Sequence, residues 1–225
     1  DLRNTNPDLK WEVKHTFNTG IDVALFGNRL LLSANYYNSR TTDMLYLYNV
    51  SVPPFTYNTL LANIGSMRNW GTEIAIGITP LKIKDMELNI NANITFQRNK
   101  LLSLSGMYNG EMLSAPEYKS LAGLDGAGFH GGYNHIVYQM VGQPLGVFYL
   151  PHSTGLESDG NGGYTYGIAD LNGGGVSLED GEDRYVAGQA VPKTILGSNI
   201  SFRYKRFDLS LQVNGAFGHK IYNGT

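Results

Sequence analysis

The chain has 225 residues, 42% apolar and only 16% charged, with a net charge of −2, whereas soluble domains usually carry about 25% charged residues. No basic field offers a seat for nucleic acid. The lack of cysteine removes disulfides, thiol catalysis and zinc–thiolate sites, and no run of about eighteen apolar residues marks a membrane-spanning helix. Glycine (28) and tyrosine (15) are plentiful, a mixture that favours strands, tight turns and aromatic belts over helices.

In chain order, the first residues carry no charged-then-apolar leader, so the sequence reads as starting inside a longer protein. Asn6–Glu12, NPDLKWE, leads into a strand with Val13, His15 and Phe17 on one face and then Ile21, Val23 and Leu25. Gly27-Asn28 is a tight-turn pair, after which Leu30, Leu32, Ala34 and Tyr36 share a face on the return strand. Residues 41–66, with Pro53-Pro54, read as a long connection.

The strongest pattern follows, from Asn69 to Asn99, as two long strands about a turn at Lys82–Asp85. Ile74, Ile76 and Ile78 oppose Glu73, Ala75 and Gly77, and then Leu88, Ile90, Ala92, Ile94 and Phe96 alternate with Asn89, Asn91, Asn93, Thr95 and Gln97. Successive strand side chains point to opposite faces, so this spacing makes one apolar and one hydrated face. About ten residues of clean alternation cross a bilayer at a tilt.

A second long connection, 101–134, is glycine-rich, and His135–Met140 and Gly146–Leu150 read as short strands. A third connection, 151–188, contains the glycine-rich tip Ser158–Gly163 and an acidic loop. Leu196–Tyr204 and Phe207–Gly215 close the chain as a hairpin about Lys205-Arg206. Short turns therefore alternate with long loops, as in an antiparallel transmembrane β-barrel with periplasmic turns and extracellular loops. The amide-rich hydrated faces suit a wide, wet lumen, so the expected fold class is all-β, part of a larger barrel.

Several spaced motifs resemble the SusC/RagA group of TonB-dependent outer-membrane transporters. They are Asn6-Pro-Asp-Leu-Lys-Trp-Glu12, Asn63-Ile-Gly65 followed by Asn69-Trp-Gly71-Thr-Glu73, and a closing set from Asp183-Arg184 through Gly188, Pro192, Gly197 and Tyr204–Leu209 to Gly218–Asn223. The resemblance covers nearly the whole chain, with 101–134 the least similar stretch. It implies a barrel of twenty-two strands with a plug, energised by the TonB complex. It further implies pairing with a SusD-like surface lipoprotein and an oligosaccharide or peptide cargo. This sequence would be part of the C-terminal half of such a barrel, without plug or TonB box.

Three groups are candidate sites. Glu73, Asn89, Asn91, Asn93 and Gln97 form a polar stripe, read as a ligand-contacting lumen wall or as the solvent face of an ordinary sheet. Tyr46, Tyr48 and Tyr57, with Phe55 and Tyr108, are read as sugar-stacking rings or as an interfacial girdle. Asp170, Asn172 and Asp183 resemble part of a calcium loop, although Gly174 stands where a fifth-position oxygen ligand belongs. A solvated acidic turn is the alternative there.

Catalysis finds no support. His130, His135 and His152 fall in glycine-rich regions without metal-ligand spacing. Glu179, Asp180, Glu182 and Asp183 lack the apolar cover that raises a carboxyl pKa. The reading is thus a non-enzymatic segment of an outer-membrane importer of a Gram-negative bacterium, in contact with membrane lipid. The alternative is a soluble extracellular β-rich glycan-binding or adhesin module, which would bury its apolar faces between two sheets.

Overall fold

The computed structural model describes residues 2–116, 118–124, 134–177 and 182–222. Its elements are all strands. Four long ones open the chain: β1 (Val13–Leu25), β2 (Leu30–Asn49), β3 (Thr59–Ile83) and β4 (Met86–Ser103). Shorter pieces follow: β5 (Ser105–Tyr108), β6 (Glu111–Ser114), β7 (Tyr118–Leu124), β8 (Asn134–Met140), β9 (Val147–Pro151), β10 (Ser153–Ser158), β11 (Tyr164–Ile168) and β12 (Arg184–Gln189). Two long strands close it, β13 (Thr194–Tyr204) and β14 (Phe207–Phe217). They form two compact units, Asp1–Glu117 with Pro192–His219, and Tyr118–Val191 with Lys220–Thr225.

The first unit is a six-stranded antiparallel sheet in the order β1-β2-β3-β4-β13-β14. It does not close, and β1 and β14 are its two edges. Cross-strand partners lie on one face of a sheet, so the register shows which side chains travel together. Ile21, Ala34, Ile74, Ile94, Leu196 and Gly215 make one row, and Ile78, Ile90, Ile200 and Leu211 another. This apolar face is open: Ile21 is 63% exposed, Leu211 53% and Leu209 67%. Among the described residues of this unit no second sheet covers it, which is the outcome expected of a surface facing lipid rather than of a soluble sandwich.

Aromatic side chains bound this apolar band above and below. Tyr36, Phe96 and Phe217 belong to the upper row, and Tyr204 with Phe207 to the lower. Along β4 these rows lie ten residues apart, Phe96 to Met86. At about 3.3 Å per residue and a tilt near 40°, that is about 25 Å, the height of the apolar band of an outer-membrane barrel.

The three tight turns fall at one rim. Gly27 and Asn28 both have positive φ, as does Lys205. The Lys205 amide donates to the Asp85 carbonyl at 2.8 Å, and the Thr79 amide to the Arg29 carbonyl at 2.8 Å, so neighbouring turns are tied together. The middle turn is tighter than expected: Lys82 and Ile83 pair with Glu87 and Met86, leaving only Lys84-Asp85 to reverse the chain.

At the other rim the strands run on, which corrects the expected loop boundaries. Within 41–66 only 50–58 is a connection, because β2 extends to Asn49 and β3 begins at Thr59. The change comes at Met44, where two opposite register shifts and a positive φ at Asp43 mark a bulge. Beyond it Tyr48 (1% exposed), Leu60 (0%) and Ala62 are buried, together with Leu101, Leu104 and Leu113 of β4 and the β5–β6 hairpin. The 101–134 stretch likewise contains the end of β4, that hairpin, β7 and the first residue of β8, while 125–133 lies outside the described residues.

The second unit has a four-stranded sheet, β12-β9-β8-β7, and the separate β10–β11 hairpin. The 151–188 connection therefore contains strands as well. Tyr138 and Val147 are buried in its core, with Tyr138 edge-on to Tyr149 at 5.4 Å and the Arg184 guanidinium 5.9 Å from the Tyr138 ring centre. The strand expected at His135–Met140 is β8, which carries His135. His130, Glu179 and Asp180 lie outside the described residues.

Candidate functional site

The face opposite the apolar band curls into a trough of ≈ 640 Å³, lined among others by Asp22, Ser33, Asn91, Asn93, Asn199 and Gln212. From the Asn91–Asn199–Gln212 row up to the Thr95–Ile195–Ala216 row, its only charged side chains are Asp22 and Glu73. No lysine or arginine faces the trough at that level. Charges gather at the lower rim instead, where Arg203 pairs with Asp208 at 2.8 Å and Lys82 with Glu87 at 3.8 Å.

The polar stripe divides into trough wall and end ties. Asn91 and Asn93 line the trough, and Glu73 stands on the same face opposite Asn35 and Thr95. Asn89 is occupied by its neighbours, accepting from the Thr79 hydroxyl at 2.7 Å and donating to Glu87 at 3.0 Å. Gln97 donates to the Pro192 carbonyl at 2.9 Å and so fixes the start of β13 against β4.

Sequence reasoning missed how this wall is kept low. Gly20 pairs with Asn35, Gly71 with Tyr37, Gly77 with Asn91 and Gly197 with Asn93. At Gly20, Gly71 and Gly197 an added Cβ would collide with the partner's side chain, and at Gly77 it would stand 3.1 Å from the Asn91 Oδ1. Each glycine lets the polar chain across from it lie flat on the sheet. The signal exists only in the register, because the paired residues lie 14 to 104 positions apart.

The aromatic candidates separate by depth. Tyr48 is buried, edge-on to Tyr46 at 5.3 Å. Burial first, and then the neighbouring Tyr46, push its hydroxyl up to about 12. Its ring therefore serves packing in the water-side core, not stacking on a ligand. Tyr46 is half-buried and Tyr57 is 36% exposed. Tyr108 donates from its hydroxyl to Asn6 Oδ1 at 3.0 Å.

That last contact belongs to a strap which joins two of the sequence motifs. Asn63 accepts from the Lys10 amide at 3.0 Å and donates to the carbonyls of Lys10 and Asp43, both at 2.8 Å. Asn6, itself buried, donates to the Leu61 carbonyl at 2.8 Å, and Glu12 accepts from the Leu45 amide at 3.1 Å. Lys10 adds an ion pair with Asp43 at 2.9 Å. Side-chain amides thus satisfy backbone groups that a further strand would otherwise cover, fixing NPDLKWE across the projecting β2–β3 ribbon.

In the second unit, Asp170, Asn172 and Asp183 do share one loop, closed by backbone amides. Asp170 accepts from Gly173 at 2.6 Å and Gly175 at 3.0 Å, and Asn172 from Gly174 at 2.8 Å. Asp183 accepts from Leu171 at 2.7 Å and Ser177 at 2.8 Å. The amides of Ser177 and then Leu171 hold its carboxyl below the usual range. Asn172 also donates to Glu182. Among the described residues no three His, Cys, Asp or Glu stand together as a metal-ligand group.

Comparison with known proteins agrees with the geometry. The family model described as TonB dependent receptor-like, beta-barrel, matches residues 1–218. TonB-dependent receptor P3 of Formosa agariphila is 30% identical over 98% of this chain and 22% of its own length. TonB-dependent receptor SusC of Bacteroides thetaiotaomicron is 27% identical over 96% of this chain and 20% of its own. The RagAB peptide importer in its open-open state superposes with a TM-score of 0.69 at 21% identity, over 95% of this chain and 21% of that one. The chain thus spans about a fifth of the proteins it matches. Such receptors are transporters of the Gram-negative outer membrane, not enzymes. With its outward apolar band, its wet inner face and this match, the chain belongs to the TonB-dependent receptor β-barrel family.

Proposed function

We propose that the amide-lined trough is a stretch of the importer's wet wall. We further propose that the cargo is a neutral oligosaccharide, received with a SusD-like surface lipoprotein and moved at the expense of the TonB complex. What supports the cargo reading is the composition of the wall at membrane level: amides and hydroxyls, two carboxylates, and no lysine or arginine. Asn91, Asn93, Asn199 and Gln212 offer donors and acceptors together, matching sugar hydroxyls without burying a charge. At the projecting end Tyr57, 36% exposed, offers a ring to stack on a sugar face, and the 50–58 connection offers a contact for a lipoprotein lid.

Binding to the full-length protein with its lipoprotein tests this. Calorimetry with a neutral oligosaccharide library and with an oligopeptide library of similar mass should give heat with the first. Asn91→Ala/Asn93→Ala should weaken it by roughly 1–3 kcal/mol. Binding of peptides alone would reject the glycan reading and leave the wall itself in place.

A further inference from the structure

Just above the upper aromatic row the outward face changes chemistry. His15 pairs with Arg40, Arg40 with Arg68 and Arg68 with Lys100, one residue from each of β1 to β4. No register shift separates this row from the apolar rows below, so all four share the lipid-facing side. Arg98 stands one row lower, beside Trp70. Neither this row nor the two beneath it (Phe17, Asn38, Trp70, Arg98 and then Thr19, Tyr36, Thr72, Phe96) contains a carboxylate.

Like charges directly opposed destabilise a sheet, yet here three cations are consecutive neighbours in a chain of net charge −2. Among the described residues none of Arg40, Arg68, Arg98 and Lys100 is joined to a carboxylate. Arg68 is held ready: its Nε donates to Asn38 Oδ1 at 2.9 Å, and its guanidinium lies 4.8 Å from the Trp70 ring centre. Arg40 and Lys100 are exposed.

Height above the band decides what meets these cations. Lys100 is four residues beyond Phe96, which at about 3.3 Å per residue and a tilt near 40° is about 10 Å. Arg98 is half that. A hydrocarbon core of about 30 Å becomes 40–45 Å with its headgroups, so the row sits at or just beyond headgroup level on the outer side. We propose that Arg40, Arg68, Arg98 and Lys100 form a binding site for the phosphate groups of outer-leaflet glycolipid. Arg40 and Arg68 would grip phosphate oxygens in bidentate fashion while Lys100 adds a point charge. Arg98, whose Nη1 donates to the carbonyls of Gln97 at 2.7 Å and Lys193 at 2.9 Å, contributes its remaining N–H groups and its charge. The site would bind annular lipid on the outside of the barrel, independently of what the trough carries.

The test uses full-length protein extracted from outer membranes, with co-purified phosphorylated glycolipid measured per barrel. Arg40→Gln/Arg68→Gln/Lys100→Gln should lower retention by roughly a hundredfold. Arg40→Gln alone, at an exposed site, should lower it by roughly fivefold and serves if the triple variant fails to insert. Stripped wild-type protein should rebind phosphorylated glycolipid far better than its dephosphorylated form, and inorganic phosphate should not displace it at equal concentration. Unchanged retention in both variants, indifference to lipid dephosphorylation, or equal capture of free phosphate would each overturn the proposal.

Discussion

Below Arg40 and Arg68, β2 and β3 turn their apolar side chains outward into an open band. Above Met44 and Gly65 the same two strands fold theirs into a closed core. In the lower part the register runs from Thr41–Met67 to Leu30–Ile78 without a shift, and large aliphatics on that face stay exposed. In the upper part Tyr48, Leu60, Leu101 and Leu104 fall to 1% exposure or less. What changes between the two is the solvent. Lipid leaves an apolar face in no need of cover, whereas water drives it under the β5–β6 hairpin and the N-terminal strap. The bulge at Asp43–Met44 is where one regime gives way to the other.

The sharpest way to break this comparison is to damage the water-side core. Leu60→Ala removes a fully buried side chain that pairs with Tyr48. It should cost about 2–5 kcal/mol, measured as the opening free energy of the β2–β3 ribbon by hydrogen exchange. Amides of 30–40 and 68–78 should keep their protection. If protection fell equally in both parts, the two would be a single cooperative unit and the division would be wrong.

Next in size is Ile90→Arg, in the row of Ile78, Ile200 and Leu211 near the middle of the band. Charge on a lipid face near the midplane costs about 2–4 kcal/mol, read from denaturant titration of the barrel refolded into bilayers. Its neighbour Asn91→Arg points into the trough and should change stability by less than about 0.5 kcal/mol, while placing a cation in a wall that has none. Equal costs at 90 and 91 would mean that the two faces do not see different solvents.

These neighbours also mark what the sequence made legible. From Leu88 to Phe96 the period of two gave the strand, its faces and their solvents, because a lipid-facing strand is patterned by its own side chains alone. The upper halves of β2 and β3 look like a loop in sequence for an equally physical reason. Their apolar residues are buried by a hairpin and a strap from elsewhere in the chain, the bulge at Met44 breaks the alternation, and Pro53-Pro54 suggests an earlier stop. The polar stripe was legible as a stripe. Its division into free wall (Asn91, Asn93) and ties (Asn89, Gln97) was not, since Thr79, Glu87 and Pro192 supply the bonds that decide it. Asn63 stood out as a motif residue, but its partner Lys10 lies 53 positions away. Tyr48 misled most, because an aromatic ring near a loop looks the same in sequence whether it is buried or free.

The smallest expected effect lies in the second unit, where the Asp183 carboxylate holds the amides of Leu171 and Ser177. These bonds favour the ionised form, so the folded loop holds Asp183 below its ordinary value of 3.8. The sign follows from linkage. A depressed carboxyl pKa stabilises the folded loop above 3.8, and that contribution disappears as pH falls through the lower folded value. Amide protection at 171 and 177 should therefore be flat from neutral pH down to the ordinary carboxyl range and decline only below it. Asp183→Asn keeps an acceptor but removes the charge, so it should weaken protection at neutral pH and flatten the acid limb. Because the carboxylates of Asp170 and Asp183 are already taken by amides, added calcium should leave the profile unchanged. Calcium-dependent protection that vanished in Asp183→Asn would instead make this loop the cation site that its Asp-x-Asn start resembles.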